Sequence, residues 1–381
     1  MADVADDTIL KTPRLVLRRF RESDFEEWFT HMNAPEVRHH LGGVDSRETC
    51  RERFDRQAAS WSGETGGWLV IERKEDGALI GGAGFGPITT EAAPDALRGS
   101  PEIGWSLRAD CWGQGYATEA ARGVLALIFE RFDHAVVYSQ TSEANAGSWR
   151  VMERLGMERA EALDYDDPDY PPEENPTKLY RLARETWRAT RFSIETERLL
   201  LREWQAEDFE PFLLHTNTPE VMRWLGGLMD DATQQKLCER LPLVSLEHGH
   251  CFWLVERKDD GAHLAGEVLG FCGLKRANMA GGPIGDFEIG WRLREDAWGK
   301  GYAKEAALAS LRAGFETFDA PEIIAITIED NTASWGLMER LGMQRRPDLD
   351  FRCPEFLEEE LIVYAIDRAS WLAGRSAELP A

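Results

Sequence analysis

Two stretches of this chain set glycines against a helix start in the way that holds a phosphate. They are Trp112-Gly113-Gln114-Gly115-Tyr116-Ala117-Thr118-Glu119-Ala120 and Trp298-Gly299-Lys300-Gly301-Tyr302-Ala303-Lys304-Glu305-Ala306. Each follows a strand-like run and opens a helix-like one. Glycines just ahead of a helix leave N–H groups bare and let a ligand come close, and the positive end of the helix dipole favours an anion there. A turn that merely starts a helix would explain one copy about as well, but not the same context twice. The copies differ in that Gln114 corresponds to Lys300 and Thr118 to Lys304. Lysines in a first helical turn oppose the dipole, and a bound phosphate would compensate them. Two solvated surface lysines fit equally well.

Candidate acids and hydrogen-bond donors flank these loops. In Glu102–Leu107, Ile103, Trp105 and Leu107 point one way, and Glu102, Gly104 and Ser106 the other; Glu288, Gly290 and Arg292 repeat the second face. A carboxylate beside a glycine suits a face that a ligand approaches, so Glu102 and Glu288 are candidate bases. A solvated strand carboxylate is an even alternative. Asn145 and Asn331 each lie three residues before a serine, Ser148 and Ser334. Asn and Ser are favoured helix N-caps, so one of each pair is expected to cap a helix whatever else it does. Tyr180 and Tyr364 are reserve donors more simply read as buried sheet tyrosines. The histidines form no ligand-spaced pair repeated in both copies, and no metal is expected.

The elements that position these residues come from a duplication. Thr12–Phe20 matches Thr196–Trp204 at an offset of 184, and Pro101–Ala120 matches Phe287–Ala306 at 186 with 14 of 20 positions identical; Ser142–Met157 matches Ile328–Met343, again at 186. The period is that of a domain, which makes domains of residues 1–190 and 191–381. In each, hairpins come first and a strand–helix–strand crossover later. This predicts a mixed α/β fold with helices on both faces of the sheet. Capping boxes are expected at Ser23-Asp-Phe-Glu26 and Asp45-Ser-Arg-Glu48. Strands are expected over Leu15–Phe20, Trp68–Arg73, Ala78–Phe85, Glu102–Leu107, Val136–Thr141 and Leu179–Ala183, with a helix from about Ser148 to Gly156 and an acidic loop over Asp164–Pro176.

Composition narrows the partners. The net charge of -24 argues against nucleic acid and anionic membranes, and it requires local positive potential at any polyanion site. The six cysteines form no CxxC pair and read as reduced thiols. Apolar runs such as Val124–Phe129 are too short to span a bilayer, and residues 1–10 lack a signal pattern. A soluble cytoplasmic protein is expected.

Three ordered blocks now carry a resemblance: Glu-Ile-Gly-Trp, then Trp-Gly-x-Gly-Tyr-Ala-x-Glu-Ala, then Asn-x-x-Ser-Trp ending in Met-Glu-Arg-Leu-Gly-Met, each present twice. The chain resembles the GNAT superfamily of N-acetyltransferases, most closely its RimJ and RimL branch, over nearly all of both halves. The family's loop begins with Gln or Arg where Trp112 and Trp298 stand. The backbone amides carry the pyrophosphate contact, so little loss is expected. A dinucleotide-binding fingerprint is excluded because the third glycine is absent and the loop lies late in its unit.

The resemblance implies two tandem GNAT-like domains, each a twisted, mostly antiparallel sheet, packed as a pseudo-dimer. It implies acetyl-CoA as co-substrate and an amine acceptor, either a protein N-terminus or a small molecule. Gly113 to Thr118 and Gly299 to Lys304 become pyrophosphate cradles. Ser106, Leu107, Arg292 and Leu293 lie where the strand pairs with the pantetheine arm, and Asn145 and Asn331 contact its amides. Ser148 and Ser334 hydrogen-bond the leaving thiolate, with Glu102 and Glu288 as bases. A non-catalytic acyl-CoA-binding regulator, or a tandem enzyme with one active half, is the alternative.

Overall fold

The computed structural model describes residues 7–62 and 65–378. The chain forms two compact units that divide between Thr190 and Arg191. The first contains β1 (Thr8–Lys11), β2 (Leu15–Arg18), α1 (Phe25–Met32), α2 (Pro35–Arg38), α3 (Arg47–Ser60), β3 (Trp68–Arg73), β4 (Leu79–Pro87) and β5 (Pro101–Leu107). It continues with α4 (Tyr116–Ala126), β6 (Val136–Ser142), α5 (Ala146–Arg154), β7 (Glu158–Arg159), β8 (Thr177–Ala183) and α6 (Arg184–Ala189). Its sheet runs β1-β2-β3-β4-β5-β6-β8-β7, and every neighbouring pair is antiparallel except β5 with β6.

The second unit repeats the plan. It contains β9 (Ser193–Glu195), β10 (Leu199–Arg202), α7 (Phe209–Thr216), α8 (Pro219–Met222), α9 (Asp231–His248), β11 (Phe252–Arg257), β12 (Val268–Arg276) and β13 (Phe287–Leu293). It ends with α10 (Tyr302–Glu316), β14 (Glu322–Ile328), α11 (Thr332–Arg340), β15 (Gln344–Arg345), β16 (Phe351–Cys353), β17 (Leu357–Asp367) and α12 (Arg368–Glu378). The sheet order is β9-β10-β11-β12-β13-β14-β17-β15, with β16 on β17.

The parallel pair is the feature that makes a site. β5 stays registered with β4 from Pro101 to Leu107, and β6 stays registered with β8 along its length. Between them only Glu102 and Tyr138 are paired. The second unit parts in the same place, after Phe287–Ile323 and Glu288–Ile324. Two halves of one sheet therefore diverge just past the candidate base. The strand edges beyond it, from Gly104 and Gly290 onward, have no β partner on that side.

Helices cover both faces, as the pattern predicts. Ala120, Ala121 and Val124 of α4 are fully buried, as are Ala306, Ala307 and Leu311 of α10. On the opposite face of the first sheet, Phe25, Trp28 and Phe54 pack with Val70 and Leu79. Each fully buried Leu or Phe contributes about 1.5–3 kcal/mol. Past α4, the chain widens into a π turn over Leu127–Arg131, whereas α10 continues without interruption.

Several local expectations are corrected. The first cap does not involve Ser23. Asp24 accepts the Arg21 N–H at 2.7 Å and a bidentate pair from Arg18 at 2.8 and 2.9 Å. The second does not involve the Asp45–Glu48 pair. Ser46 caps α3 by accepting the Thr49 N–H, while Asp45 binds Arg38 and Arg53. α5 begins at Ala146, ahead of Ser148, because Asn145 is the cap. α9 had no sequence expectation; its apolar residues give no clear 3.6-residue stripe.

Candidate active site

The two loops open as the sequence implies. Gly113 and Gly115 lie at φ of 74° and 83°, and Gly299 and Gly301 at 69° and 82°, a left-handed region that side chains rarely adopt. Among the described residues, no backbone hydrogen bond uses the N–H groups from Gly113 to Thr118 or from Gly299 to Lys304. Bare amides at the positive end of a helix form an anion cradle, and the unpaired edge of β5 or β13 leads into it. These features fit the diphosphate and the amide-bearing arm of coenzyme A.

Trp112 and Trp298, which depart from the family's loop, act as latches. Each is half exposed, and its indole N–H donates to the carbonyl of Leu107 or Leu293 at 2.9 Å. This ties the strand end to the loop. A second clamp lies beneath it. Glu119 accepts from Thr12 Oγ1 at 2.6 Å, the Arg14 N–H at 2.8 Å and Arg14 Nε at 2.7 Å. Arg14 then donates to the Gln114 carbonyl at 3.0 Å and lies over the Tyr116 ring. Thr196, Arg198, Glu305, Lys300 and Tyr302 repeat these contacts. The repeated Thr-x-Arg and loop glutamate carried this signal in the sequence. Tyr116 and Tyr302 are buried, and Tyr302 Oη donates to the His263 carbonyl at 3.2 Å.

The asparagine–serine pairs resolve cleanly. Asn145 Oδ1 accepts the Ser148 N–H at 3.2 Å, and Asn331 Oδ1 accepts the Ser334 N–H at 3.3 Å. The asparagines are caps, and among the described residues both serine hydroxyls make no hydrogen bond. In the second unit Glu288, Arg292, Lys304, Asn331 and Ser334 line one cavity of about 1050 Å³. Leu293, Gly299, Gly301, Tyr302 and Ala303 also line it, but Lys300 does not. Arg154 of the first unit, from the Met-Glu-Arg block, reaches Thr118 Oγ1 at 3.3 Å, and its counterpart Arg340 lines the second cavity. Both are cations beside a cradle. Tyr180 and Tyr364 are buried beneath Arg159 and Arg345, away from this role.

The bases differ between the units. Burial pushes the Glu102 carboxyl up to about 7, opposed only by one hydrogen bond from Gln140 Nε2 at 3.0 Å. Gln140 in turn accepts from Tyr165 Oη at 2.6 Å. Glu288 is buried too, and burial raises its carboxyl, but Lys275 Nζ lies 3.0 Å from Oε2 and opposes the rise. Gly86 occupies the position opposite Glu102 that Lys275 occupies opposite Glu288. Gln140 and Tyr165 give way to Ile326 and Phe351. Nothing in the sequence marked Gln140, Tyr165 or Lys275, because their roles depend on register and on a loop folding back.

One cluster lies outside these roles. His39, His40 and Glu174 bring ligand atoms within 4.8 Å of one another. Their members come from separated segments, which sequence spacing does not reveal. His40 Nδ1 lies 2.7 Å from Glu174 Oε1, and Ser142 donates to the other oxygen, so Glu174 ties the acidic loop to the segment after α2 and to the end of β6.

In each unit an open α/β sheet whose central parallel pair parts, with the first strand of the pair running into a bare-amide loop, defines a class of acyl-CoA-binding fold. The family model described as acetyltransferase (GNAT) domain matches residues 14–158 and again 198–344, and the chain belongs to that family. Similar proteins include the uncharacterised N-acetyltransferase p20 of Bacillus licheniformis, 30% identical over 40% of this chain and 83% of its own length. Another is the FsC-acetyl coenzyme A-N(2)-transacetylase of Aspergillus fumigatus, 32% identical over 29% of this chain and 48% of its own. Among solved structures, an acetyltransferase from Agrobacterium tumefaciens is 29% identical, covering 45% of this chain and 92% of its own, with a TM-score of 0.37. No helix among the described residues is long and apolar enough to cross a membrane.

Proposed function

We propose that the chain moves an acetyl group from acetyl-CoA to a primary amine, and that the first unit carries the stronger base. The observation that supports this reading is Glu102: a carboxyl raised to about 7, free of any cation, at the point where the strands part. Alkyl ammonium ions titrate near 10.4 and α-ammonium ions near 7.7–8.0. A base near 7 accepts a proton from the second class with little penalty, which favours a protein or peptide N-terminus, as in the RimJ and RimL branch, over a lysine-like amine.

In this reading Glu102 takes the proton from the acceptor nitrogen. The nitrogen bonds to the acetyl carbonyl carbon, and the carbon–sulfur bond breaks. Ser148, whose hydroxyl is unengaged, donates a hydrogen bond to the departing sulfur. Its own pKa is too high for it to serve as a strong acid, so stabilisation rather than full proton transfer is its role. The Glu288–Lys275 ion pair favours a second reading for the other unit, that of an acyl-CoA-binding module with weak or no turnover.

The test is release of free thiol from acetyl-CoA by the full chain with a panel of amines that includes short peptides. Glu102→Gln should lower the rate about 100-fold or more, and Glu288→Gln far less. Tight coenzyme A binding with no turnover on any amine would leave the regulator reading standing instead.

A further inference from the structure

Four arginines are buried among the described residues: Arg18, Arg257, Arg292 and Arg294. Three of them hold an aspartate: Arg18 with Asp24, Arg257 with Asp260 and Arg294 with Asp296. Arg292 holds none. Its Nη1 meets only the sulfur of Met222, at 3.1 Å, and its Nε has no partner. Burial pushes the guanidinium down to about 10. The rings of Phe212 and Phe271 lie at 4.6 and 5.2 Å. They make an attractive wall for a cation but accept none of its in-plane N–H bonds. A buried charge left in this state is costly unless something completes it.

Its surroundings say what would complete it. Arg292 is 8% exposed, yet it lines the second unit's cavity. It faces Phe212 of α7 and Met222 of α8, while strand alternation puts Ile289 and Leu293 on the other face of β13. The cradle for the diphosphate lies at the start of α10, so the cofactor's phosphates belong to the other side of the strand. On the Arg292 face, Glu288 sits four residues back, roughly 13 Å away between Cα atoms. Between them the ring of Phe252 covers Gly290, where a Cβ would come within 2.7 Å of Cζ. Phe252 stacks on Phe271 at 5.0 Å and 5°. The face thus has the Glu288–Lys275 ion pair at one end, a flat aromatic floor and an unpaired cation at the other. The first unit lacks this arrangement. Ser106 takes the place of Arg292, and the ring of Trp28 fills the space beside Gly82.

We propose that the second unit's ligand is an amine that also bears an anionic group, with the uncharged amine at the Glu288–Lys275 pair, a flat apolar spacer over Phe271 and the part of Phe252 that Lys275 leaves open, and the anion on Arg292. This rests on the reading of the cavity as an amine site.

The test is calorimetry on the full chain saturated with coenzyme A, using 4-(aminomethyl)benzoate and, as its neutral counterpart, benzylamine. The carboxylate should bind about tenfold or more tightly than benzylamine. Arg292→Met should erase that difference, and Arg292→Lys should keep part of it. Because Arg292→Met removes an unpaired buried charge, the variant should melt no lower than the parent. Equal affinities, no binding of the carboxylate, or a preference that survives Arg292→Met would overturn the proposal. So would a lower melting temperature with unchanged binding, which marks a structural brace. Thiol release with benzylamine and acetyl-CoA is scored separately. Turnover without carboxylate preference sinks only the anion site, and carboxylate preference without turnover on any amine sinks only the transfer reading.

Discussion

Gly86→Lys would give the first unit the ion pair that the second already has. Gly86 lies opposite Glu102 in the β4–β5 register, as Lys275 lies opposite Glu288. It has no positive φ, and a Cβ there meets nothing within 4 Å, so the side chain enters without strain. If the new ammonium reaches the 3.0 Å seen between Lys275 and Glu288, Coulomb's law with an effective dielectric of about 20 gives roughly 5 kcal/mol. That is an upper bound, because the ammonium loses hydration as it arrives. Carboxylates beside a cation usually fall by about 1–3 pKa units. Glu102 should therefore drop from about 7 to roughly 4–6.

Two consequences can be measured. A carbon-13 carboxyl titration by nuclear magnetic resonance should move the Glu102 midpoint down by at least about one unit. The acid limb of kcat/KM against pH should move with it. The rate on the high-pH plateau should fall about tenfold for a two-unit drop, with a Brønsted slope of about 0.5, because the ion-paired carboxylate is the weaker base. A Glu102 midpoint near 4.5 in the parent protein, or one that stays near 7 in the variant, would refute the reasoning. The titration needs no acceptor, so it stands apart from any question of substrate.

Glu102→Gln has a stability signature opposite to that of a lost ion pair. A carboxyl whose folded pKa lies above its unfolded one costs stability as pH rises through the interval, here from about 4.5 to about 7. The variant should gain at most about 3 kcal/mol at pH 8 and nothing at pH 4, read from urea unfolding at both values; an equal effect at both would contradict it. Glu119→Ala should loosen the first loop, leaving Arg14 and Thr12 without their shared acceptor. It should weaken coenzyme A binding about tenfold and lower stability by about 1–3 kcal/mol; isothermal titration with the second site blocked by Gly301→Val reads the first value, and unchanged affinity would count against the clamp. Lys304→Ala should weaken second-unit binding a few-fold at low salt and hardly at all at 0.5 M, since the lysine is exposed and acts through a screened charge; a loss that ignores salt would show that Lys304 does not act on the diphosphate as a point charge.

The frame was legible because it is local and repeated. Gly115 and Gly301 set their loops by backbone freedom, and Asn145 and Asn331 cap their helices by short-range bonds, so residue type and spacing suffice. The parting of β5 from β6 was not legible, since it depends on where pairing with β4 and β8 holds each strand. Lys275 shows why the Glu288 face of β13 stayed hidden. The offset between copies is 184 at the first strand and 186 at the third block, but across β12 it is 189, as Gly86 and Lys275 share a register position. A longer hairpin and a shorter loop after it displace the comparison, so a fixed offset sets Lys275 against Thr89 and conceals the charge. Gln140 and Tyr165 meet only after the acidic loop folds back.

The two copies act as an internal control on each assignment. What recurs in both is the apparatus around the loop: the glycines, the indole latch, the Thr–Arg–Glu clamp and the asparagine cap. Each acts on backbone geometry, and a ligand held through backbone amides imposes the same demand on both units. What differs lies on the opposite face of the central strand: Gly86 against Lys275, Ser106 against Arg292, Gln140 against Ile326 and Tyr165 against Phe351. Those pairs change charge, volume and proton affinity while leaving the indole latch, the Thr–Arg–Glu clamp and the asparagine cap in place. A shared backbone cradle beside a divergent opposite face is expected if both units hold the same carrier and meet different ligands across it. Were the second unit only a structural remnant, its loop would be under no demand to keep free amides. The face that binds nothing would also have been the natural place to lose an unpaired arginine.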